Sequence, residues 1–160
     1  AARAYDITTK RMPSLPVLSY RDTISSYAME GVLWQTLFEQ LNSQGGQQNI
    51  PPYHRAVFHD DEYVERDADV EVQCAVSGKC ASRGGVVFGV KPALSVACST
   101  FTGDYSQLRD VNTAIARWIK SNGYRISGHG FNIYHVPMRQ GIDPADLVTE
   151  VCFPVEQIQV

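Results

Sequence analysis

Two glutamates, Glu71 and Glu150, occupy matching places in the two halves of this 160-residue sequence. Each stands inside an apolar run that is typical of a β-strand. A carboxylate among aromatic and apolar side chains loses hydration and needs a positive partner, and aromatic faces attract cations as well. The chemistry that this pattern favours is the recognition of a lipophilic cation.

The two glutamates belong to an internal duplication. Its signature is an aromatic residue, three apolar residues and a glycine at offsets 0, 6, 10, 14 and 18. These are Tyr27, Leu33, Leu37, Leu41 and Gly45 in the first half, and Tyr105, Val111, Ile115, Ile119 and Gly123 in the second. Two copies of a unit too small to bury its own apolar face predict one domain, residues 1–160, with a pseudo-twofold axis. The repeat halves are predicted near residues 5–78 and 84–157.

Each half predicts the order strand–helix–strand–strand, with a connector over residues 77–85 that is rich in Gly and Ser. The apolar stripes predict helices over about residues 28–40 and 106–121. The predicted strands lie near residues 17–20, 55–59, 69–76, 94–99, 131–135 and 148–155. The fold class is therefore expected to be α+β: a tandem β-α-β-β duplication that forms one curved antiparallel sheet.

The period of two in a strand separates the acids from the helices. Glu150 alternates with Val151, and the apolar side must face the helices, so both acids are expected on the free face of the sheet. Tyr134 is expected to join Glu150 there. If the copies lie side by side, the free face becomes a shared groove with two carboxylates. Its aromatic walls are expected from Tyr27, Trp34, Phe58, Tyr105 and Tyr134.

Plainer roles exist for most of these residues. A glutamate on a strand is usually solvated, and Trp34 on a helical stripe is by default a core residue. Tyr27 and Tyr105 suit a hydrophobic staple at a helix start as well as they suit ligand contact. The histidines lack metal-ligand spacing, so no metal site is expected; they are His54, His59, His129 and His135. Since no Ser or Cys has an evident base partner, no catalytic residue and no cofactor are predicted.

Composition narrows the function further. A net charge of −3 argues against phosphate-mediated binding of nucleic acid, and no apolar run approaches the roughly 20 residues of a membrane span. The four cysteines form no CxxC pair, which predicts reduced, structural thiols in a cytoplasmic protein. The sequence begins with Ala rather than Met, so we expect either processing or excision from a longer protein; excision would allow a missing N-terminal partner domain.

Three segments carry a resemblance to a known family: residues 30–34 (EGVLW), 132–134 (NIY) and 147–155 (LVTEVCFPV). Over residues 5–157 the sequence resembles the GyrI-like small-molecule-binding domain, the effector-binding part of MerR-type and AraC-type multidrug-sensing regulators. The resemblance implies helices on the convex side of the curved sheet and a ligand groove opposite. It also implies that Glu150, in the last strand, meets cationic lipophilic drugs, and that Tyr134 is a groove aromatic.

The leading hypothesis is therefore a ligand sensor that binds hydrophobic, cationic molecules and regulates an attached DNA-binding domain within a homodimer. A binding domain is favoured over an enzyme. The alternative is a standalone GyrI-like hydrolase of reactive small molecules that uses a groove glutamate to activate water. A third hypothesis is a protein-binding module, which predicts an exposed apolar patch instead of a lined groove.

Overall fold

The computed structural model describes residues 4–159, so residues 1–3 and 160 of the predicted domain lie outside the described part. The chain divides into two compact units. The first unit combines the described residues up to Met12 with the chain from Leu94 onward, and the second unit comprises Pro13–Ala93. None of the helices among residues 4–159 has the length and apolar character needed to cross a bilayer.

The predicted order strand–helix–strand–strand occurs in each half of residues 4–159, together with further strands that the sequence pattern did not predict. In chain order they are β1 (Thr8–Met12), β2 (Leu15–Ile24), α1 (Glu30–Ser43), β3 (Gln47–Gln48), β4 (His54–Phe58), β5 (Ala68–Ser77), β6 (Val87–Lys91), β7 (Leu94–Thr102), α2 (Leu108–Ser121), β8 (Tyr124–Ile126), β9 (Phe131–Val136) and β10 (Val148–Gln157). The predicted α+β class, built from two β-α-β-β copies with antiparallel strands, is confirmed.

Each unit is an antiparallel sheet with one helix. In the first unit the strand order is β1-β7-β10-β9, and the short β8 pairs with β10. In the second unit the order is β4-β5-β2-β6, and β3 pairs with β5. The strands β7, β10, β2 and β5 are thus the inner strands of the two orders.

The strand at the edge of each order comes from the other copy of the sequence repeat. β1 precedes β2 in the chain but pairs with β7, with Thr8 opposite Cys98. β6 precedes β7 but pairs with β2, with Leu15 opposite Lys91. Because a hydrogen-bonded edge strand belongs to the sheet it completes, the first unit is discontinuous in sequence. The sequence pattern did not predict β6.

The apolar stripes of both helices are buried as predicted. In the first unit, Val111, Ile115 and Ile119 of α2 form a core with the side chains of the sheet that face them: Ala97, Phe101, Val151 and Val155. In the second unit, Leu33, Leu37 and Leu41 of α1 are each at most 1% exposed. α1 ends at Ser43, three residues later than predicted, and α2 ends at Ser121, as predicted. A glycine with positive φ follows each helix, Gly45 after α1 and Gly123 after α2.

A short 3-10 turn precedes each helix, and only the second one is capped by its flanking side chain. Asp104 Oδ1 accepts a hydrogen bond of 3.0 Å from the Ser106 amide, whereas the matching Ser26 makes no side-chain capping bond. We expect Asp104→Ala to lower the free energy of unfolding by about 1 kcal/mol, since an N-cap contributes roughly that amount. Ser26→Ala, measured in the same urea titration, is expected to change it by less than about 0.5 kcal/mol; equal losses in both variants would contradict the capping role.

Candidate functional site

Glu150 is a buried carboxylate on the face of its sheet that points away from α2. Its neighbour Val151 packs in the α2 core, so the alternation of the strand turns Glu150 to the opposite face, as predicted. Its side chain is 5% exposed, and Oε2 lies 2.5 Å from Lys10 Nζ, while Oε1 lies 2.8 Å from His135 Nε2. Both partners are 45% exposed. The buried charge is therefore neutralised by groups that reach water.

Glu71 occupies the corresponding position in the second unit. Trp34 of α1 lies against His54, which stands opposite Cys74 on β5, so the alternating Glu71 lies on the face away from α1. Its Oε1 lies 2.9 Å from His59 Nε2, and its Oε2 lies 3.3 Å from Lys91 Nζ. The duplication thus extends to a carboxylate, a histidine and a lysine in each unit.

The strand register explains why the histidines meet the acids. Glu71 lies opposite Val57, and His59 follows two residues later. Glu150 lies opposite Ile133, and His135 follows two residues later. A residue two positions from the direct partner shares its face and is a diagonal neighbour of the acid. The lysines come from the edge strands β1 and β6, which pair with β7 and β2.

The residues that follow the two acids by two positions, and their partners on the neighbouring strands, differ in chemistry. In the second unit, Gln73 donates from Nε2 to Glu71 Oε2 at 2.6 Å and accepts a hydrogen bond from Arg55, and Ser19 is opposite. In the first unit the same positions hold Cys152, with Cys98 and Phe131 on its two sides. Glu71 is therefore held by a buried polar network, whereas Glu150 lies beside two thiols and an aromatic ring.

Hydrogen bonds keep both acids ionised. Burial by itself raises the pKa of Glu150, but hydrogen bonds from His135 and Lys10 outweigh it and lower the pKa to about 2. Burial also raises the pKa of Glu71, but hydrogen bonds from Gln73 and His59 outweigh burial and lower the pKa below its ordinary value. Among the thiols near Glu150, a hydrogen bond from Cys152 lowers the pKa of Cys98, and the same bond raises that of Cys152.

The expectation that Tyr134 joins Glu150 is wrong. Tyr134 lies opposite Thr149, one residue before Glu150, and so belongs to the face that carries α2. Its ring lies 6.1 Å from that of Tyr105, in the turn that precedes α2. Tyr27 and Phe58 form the same edge-to-face pair in the second unit, at 5.8 Å. These four aromatic residues line the helix sides of the sheets, while the carboxylates lie on the other sides.

Trp34 also lies on the helix side of its unit. Its ring stacks on Phe38 at 5.6 Å and lies 5.3 Å from the ring of His54, and its Nε1 donates to Glu30 Oε2 at 3.0 Å. On the face of the sheet that carries Glu150, the neighbouring aromatic residue on β9 is therefore not one of the predicted residues. Phe131, two residues from Ile133 on β9, stands opposite Cys152 on the Glu150 face.

The sequence reasoning missed the histidine and lysine partners of both acids. A usable signal was present in the sequence, since an aromatic–His dipeptide, Phe58-His59 or Tyr134-His135, ends a predicted strand in each copy. Each histidine follows an aromatic residue near the end of a predicted strand. The lysines left no comparable signal, because their edge strands belong to the opposite copy of the repeat.

Comparison with known proteins identifies the family. The profile of the GyrI-like small-molecule-binding domain matches residues 5–156. The chain belongs to this family. The predicted membership is thereby confirmed, and the function is that of a small-molecule-binding domain. A comparison with curated protein sequences returns no significant match.

Among solved structures, the GyrI-like chain is similar to two structures of EcmrR. It matches the crystal structure of the EcmrR C-terminal domain with a TM-score of 0.90 and 26% identity, over 98% of this chain and 100% of that one. It matches EcmrR in a cryo-electron microscopy structure of an EcmrR–DNA complex with a TM-score of 0.88 and 27% identity. That match covers 96% of this chain and 58% of the EcmrR chain, so the present chain spans little more than half of that protein.

Two more distant structures share the fold. A hydrolase from Listeria innocua matches with a TM-score of 0.67 and 11% identity, over 94% of this chain and 91% of that one. SAV2435, solved with bound tetraphenylphosphonium, matches with a TM-score of 0.57 and 11% identity, over 96% and 94% of the two chains. Identities this low establish a common fold and nothing more.

Proposed function

We propose that this GyrI-like domain is the ligand sensor of a larger regulator, that it binds hydrophobic cations at Glu150, and that binding regulates an attached DNA-binding domain. The observation that carries this proposal is the contrast in burial at Glu150. The carboxylate is 5% exposed and ionised, but its partners Lys10 and His135 are each 45% exposed. A permanent buried charge with replaceable partners suits the exchange of one cation for another.

Replacement of Lys10 by a lipophilic cation is favoured by the hydration free energies of the two cations. Lys10 returns to water when it leaves Glu150, and its side chain, already 45% exposed, then regains the rest of its hydration. A large organic cation is weakly hydrated, so it gives up less on entering the buried position beside the carboxylate. An inorganic monovalent cation lacks the apolar surface that adds to this gain.

Two apolar side chains lie next to Glu150 on its own face. Ile133 stands opposite Glu150, and Phe131 lies opposite the neighbouring Cys152. Both are almost fully buried, at 2% and 4% exposure. In our proposal, a ligand that displaces Lys10 meets this ring and this branched aliphatic chain beside the carboxylate, which favours an apolar cation. The role that the sequence assigned to Tyr134 thus passes to Phe131 in this proposal.

The proposal agrees with what two structures of the same fold contain. SAV2435 was solved with tetraphenylphosphonium, a lipophilic cation, and EcmrR was solved in complex with DNA. Lys10 lies on β1, close to the N-terminal side of the chain. In our proposal the DNA-binding domain precedes β1, as in a regulator with a C-terminal effector domain. Release of Lys10 would change how β1 is held and so connect the ligand site to that domain, within a cytoplasmic homodimer.

Glu71 is less suited to ligand exchange. It has a hydrogen bond from Gln73, which is 3% exposed and itself bonded to Arg55, at 5% exposure. Replacing such partners would leave buried polar groups unsatisfied, which costs about 1–3 kcal/mol for each group. We therefore assign the main ligand contact to Glu150 and a supporting, structural role to Glu71.

The alternative function, a hydrolase, is favoured by one observation, the hydrogen-bonded pair of Glu150 and His135. A carboxylate–histidine pair can activate water when its base is poised near neutral pH. The pKa of Glu150, lowered to about 2 by His135 and Lys10 against the opposing effect of burial, makes this carboxylate a weak base. Turnover of a reactive ester by the chain, abolished in Glu150→Gln, would establish the hydrolase instead.

The test is a calorimetric titration of the chain with tetraphenylphosphonium. Because the attraction between unit charges several ångströms apart near a protein surface is about 1.5–3 kcal/mol, we expect Glu150→Gln to weaken binding by about 10–100-fold. Lys10→Met removes the competing ammonium and keeps most of the length of the side chain, so binding of the cation is expected to tighten.

Glu71→Gln is the matched control, because it removes the corresponding acid of the other repeat. We expect it to change the affinity by less than about threefold, since Glu71 has its own fixed partners. A neutral ligand of the same size should bind wild type and Glu150→Gln equally. Undiminished binding of tetraphenylphosphonium by Glu150→Gln would overturn the proposal.

A further inference from the structure

Two thiols and a carboxylate converge beside β7 and β10. Cys98 and Cys152 are direct partners in the strand register, and Glu150 is two residues from Cys152 on the same face. The two Sγ atoms and a carboxylate oxygen of Glu150 lie within 4.8 Å of one another, and all three residues are buried. The sequence analysis expected no metal site from the histidine spacing and did not consider this cluster, since Cys98 and Cys152 are far apart in the chain and only strand pairing brings them together.

We propose that Cys98, Cys152 and Glu150 form a binding site for a soft or borderline divalent cation, of which Zn²⁺ and Cd²⁺ are the representatives. Thiolate sulfur prefers such ions over Mg²⁺ and Ca²⁺, and a carboxylate oxygen completes many of their sites. Ligand atoms around tetrahedral zinc are about 3.5–3.8 Å apart, given metal–ligand bonds of about 2.0–2.3 Å. Donors within 4.8 Å of one another need only small side-chain rotations to reach this geometry.

The surroundings provide the outer contacts that metal ligands usually have. His135 Nε2 lies 2.8 Å from Glu150 Oε1 and would hold the ligating carboxylate in place. Thr8 Oγ1 lies 3.7 Å from Cys98 Sγ and can donate a hydrogen bond to that sulfur. Lys10 Nζ lies 2.5 Å from Glu150 Oε2, and this ammonium group is the cation that the metal would displace. Three protein ligands leave a fourth position for water or a small ligand.

The other unit shows that these thiols are particular to one copy. The places of Cys98 and Cys152 are held there by Ser19 and Gln73, around Glu71. Neither a hydroxyl nor an amide is a good ligand for a soft cation. Glu71 is therefore an internal control for Glu150. Both acids have a histidine and a lysine partner, and of the two it is Glu150 that has thiols beside it.

The proposal is tested by titrating the reduced chain with Cd²⁺ and following the thiolate-to-metal charge-transfer absorption in the ultraviolet. We expect one ion per chain, with a band that requires both thiols. Cys98→Ser and Cys152→Ser should each lose the band, and Glu150→Gln should weaken the affinity by at least tenfold. Cys74→Ser and Cys80→Ser are the matched controls and should retain the band, because neither thiol belongs to the cluster.

A second measurement avoids variants that fail to fold. The ¹¹³Cd nuclear magnetic resonance shift of the unmodified chain distinguishes a mixed sulfur and oxygen site from a site with oxygen ligands alone. A shift typical of oxygen ligands, no bound ion at stoichiometric Cd²⁺, or a band that persists in the Cys98→Ser, Cys152→Ser double variant would each overturn the proposal.

This metal site does not depend on the proposed lipophilic-cation site, although both use Glu150. Cys98→Ser separates them: the variant is expected to lose Cd²⁺ and to keep tetraphenylphosphonium binding within about threefold. If both ions bind wild type, each should weaken the other, since only one can neutralise Glu150. Loss of tetraphenylphosphonium binding in Glu150→Gln with unchanged Cd²⁺ binding would support the first proposal and contradict the second.

Discussion

Acidification is expected to cost the chain about 3 kcal/mol of folding free energy through the single carboxyl group of Glu150. Burial alone raises its pKa, but bonds from His135 and Lys10 lower it from 4.5 to about 2 in the folded chain. A lowered pKa stabilises the fold above the pKa of the unfolded chain. That contribution is therefore complete above about pH 5 and is lost as the pH falls toward 2.

The measurement is urea unfolding between pH 7 and pH 2.5 in a buffer with a chelator. Glu150→Gln should be less stable than wild type at pH 7 and should show a flatter loss of stability below pH 5. Glu65→Gln, at an exposed position of the loop after β4, should follow the wild-type profile. Parallel curves for wild type and Glu150→Gln would show that the folded environment does not hold this carboxyl in its ionised form.

The helices, most of the strands and their buried faces could be predicted from the sequence, because each depends on the spacing of residues close together in the chain. The 3–4 spacing of Leu33, Leu37 and Leu41 predicted a helix with a buried stripe, and all three side chains are buried. The repeat of that pattern predicted the second helix and the two-copy architecture. The alternation around Glu150 placed its carboxylate away from the helix, because a strand has only two faces.

What the pattern did not predict depends on pairing between distant strands. Which residue of β9 lies opposite Glu150 is a matter of register, and a shift by one position exchanges the faces. For that reason Ile133 and His135, not Tyr134, share the face of Glu150. The edge strands add a second difficulty, because β1 pairs with β7 rather than with its neighbour in the sequence. Lys10 and Glu150 meet across almost the whole length of the chain.

The asymmetry between the two acids follows from the same pairings. The duplication predicted equivalent carboxylates, and the register confirms equivalent positions for Glu71 and Glu150. Their neighbours diverged: Gln73 in one copy and Cys152 in the other follow the acid by two residues. A buried polar network holds the first acid, whereas two thiols and an aromatic ring lie beside the second. Our proposal therefore gives the two equivalent positions different roles, structural for Glu71 and ligand-binding for Glu150.

The other large effect is expected from Ile115→Ala in the core that supports β10. Ile115 is 0% exposed and packs with Val151, the neighbour of Glu150. Truncation of a buried isoleucine to alanine costs about 2–5 kcal/mol, as the sum of lost transfer energy and the cavity left behind. We expect the urea midpoint of unfolding to fall accordingly, with an unchanged dependence on denaturant concentration.

Ile126→Ala is the control for this substitution, because Ile126 lies in the same unit and is 48% exposed. It should cost less than about 1 kcal/mol, since less apolar surface leaves a buried environment. Because Val151 and Glu150 are adjacent on β10, the cavity at Ile115 should also loosen the position of the carboxylate and weaken tetraphenylphosphonium binding. An Ile115→Ala variant as stable as Ile126→Ala would mean that α2 does not hold β10 through this contact.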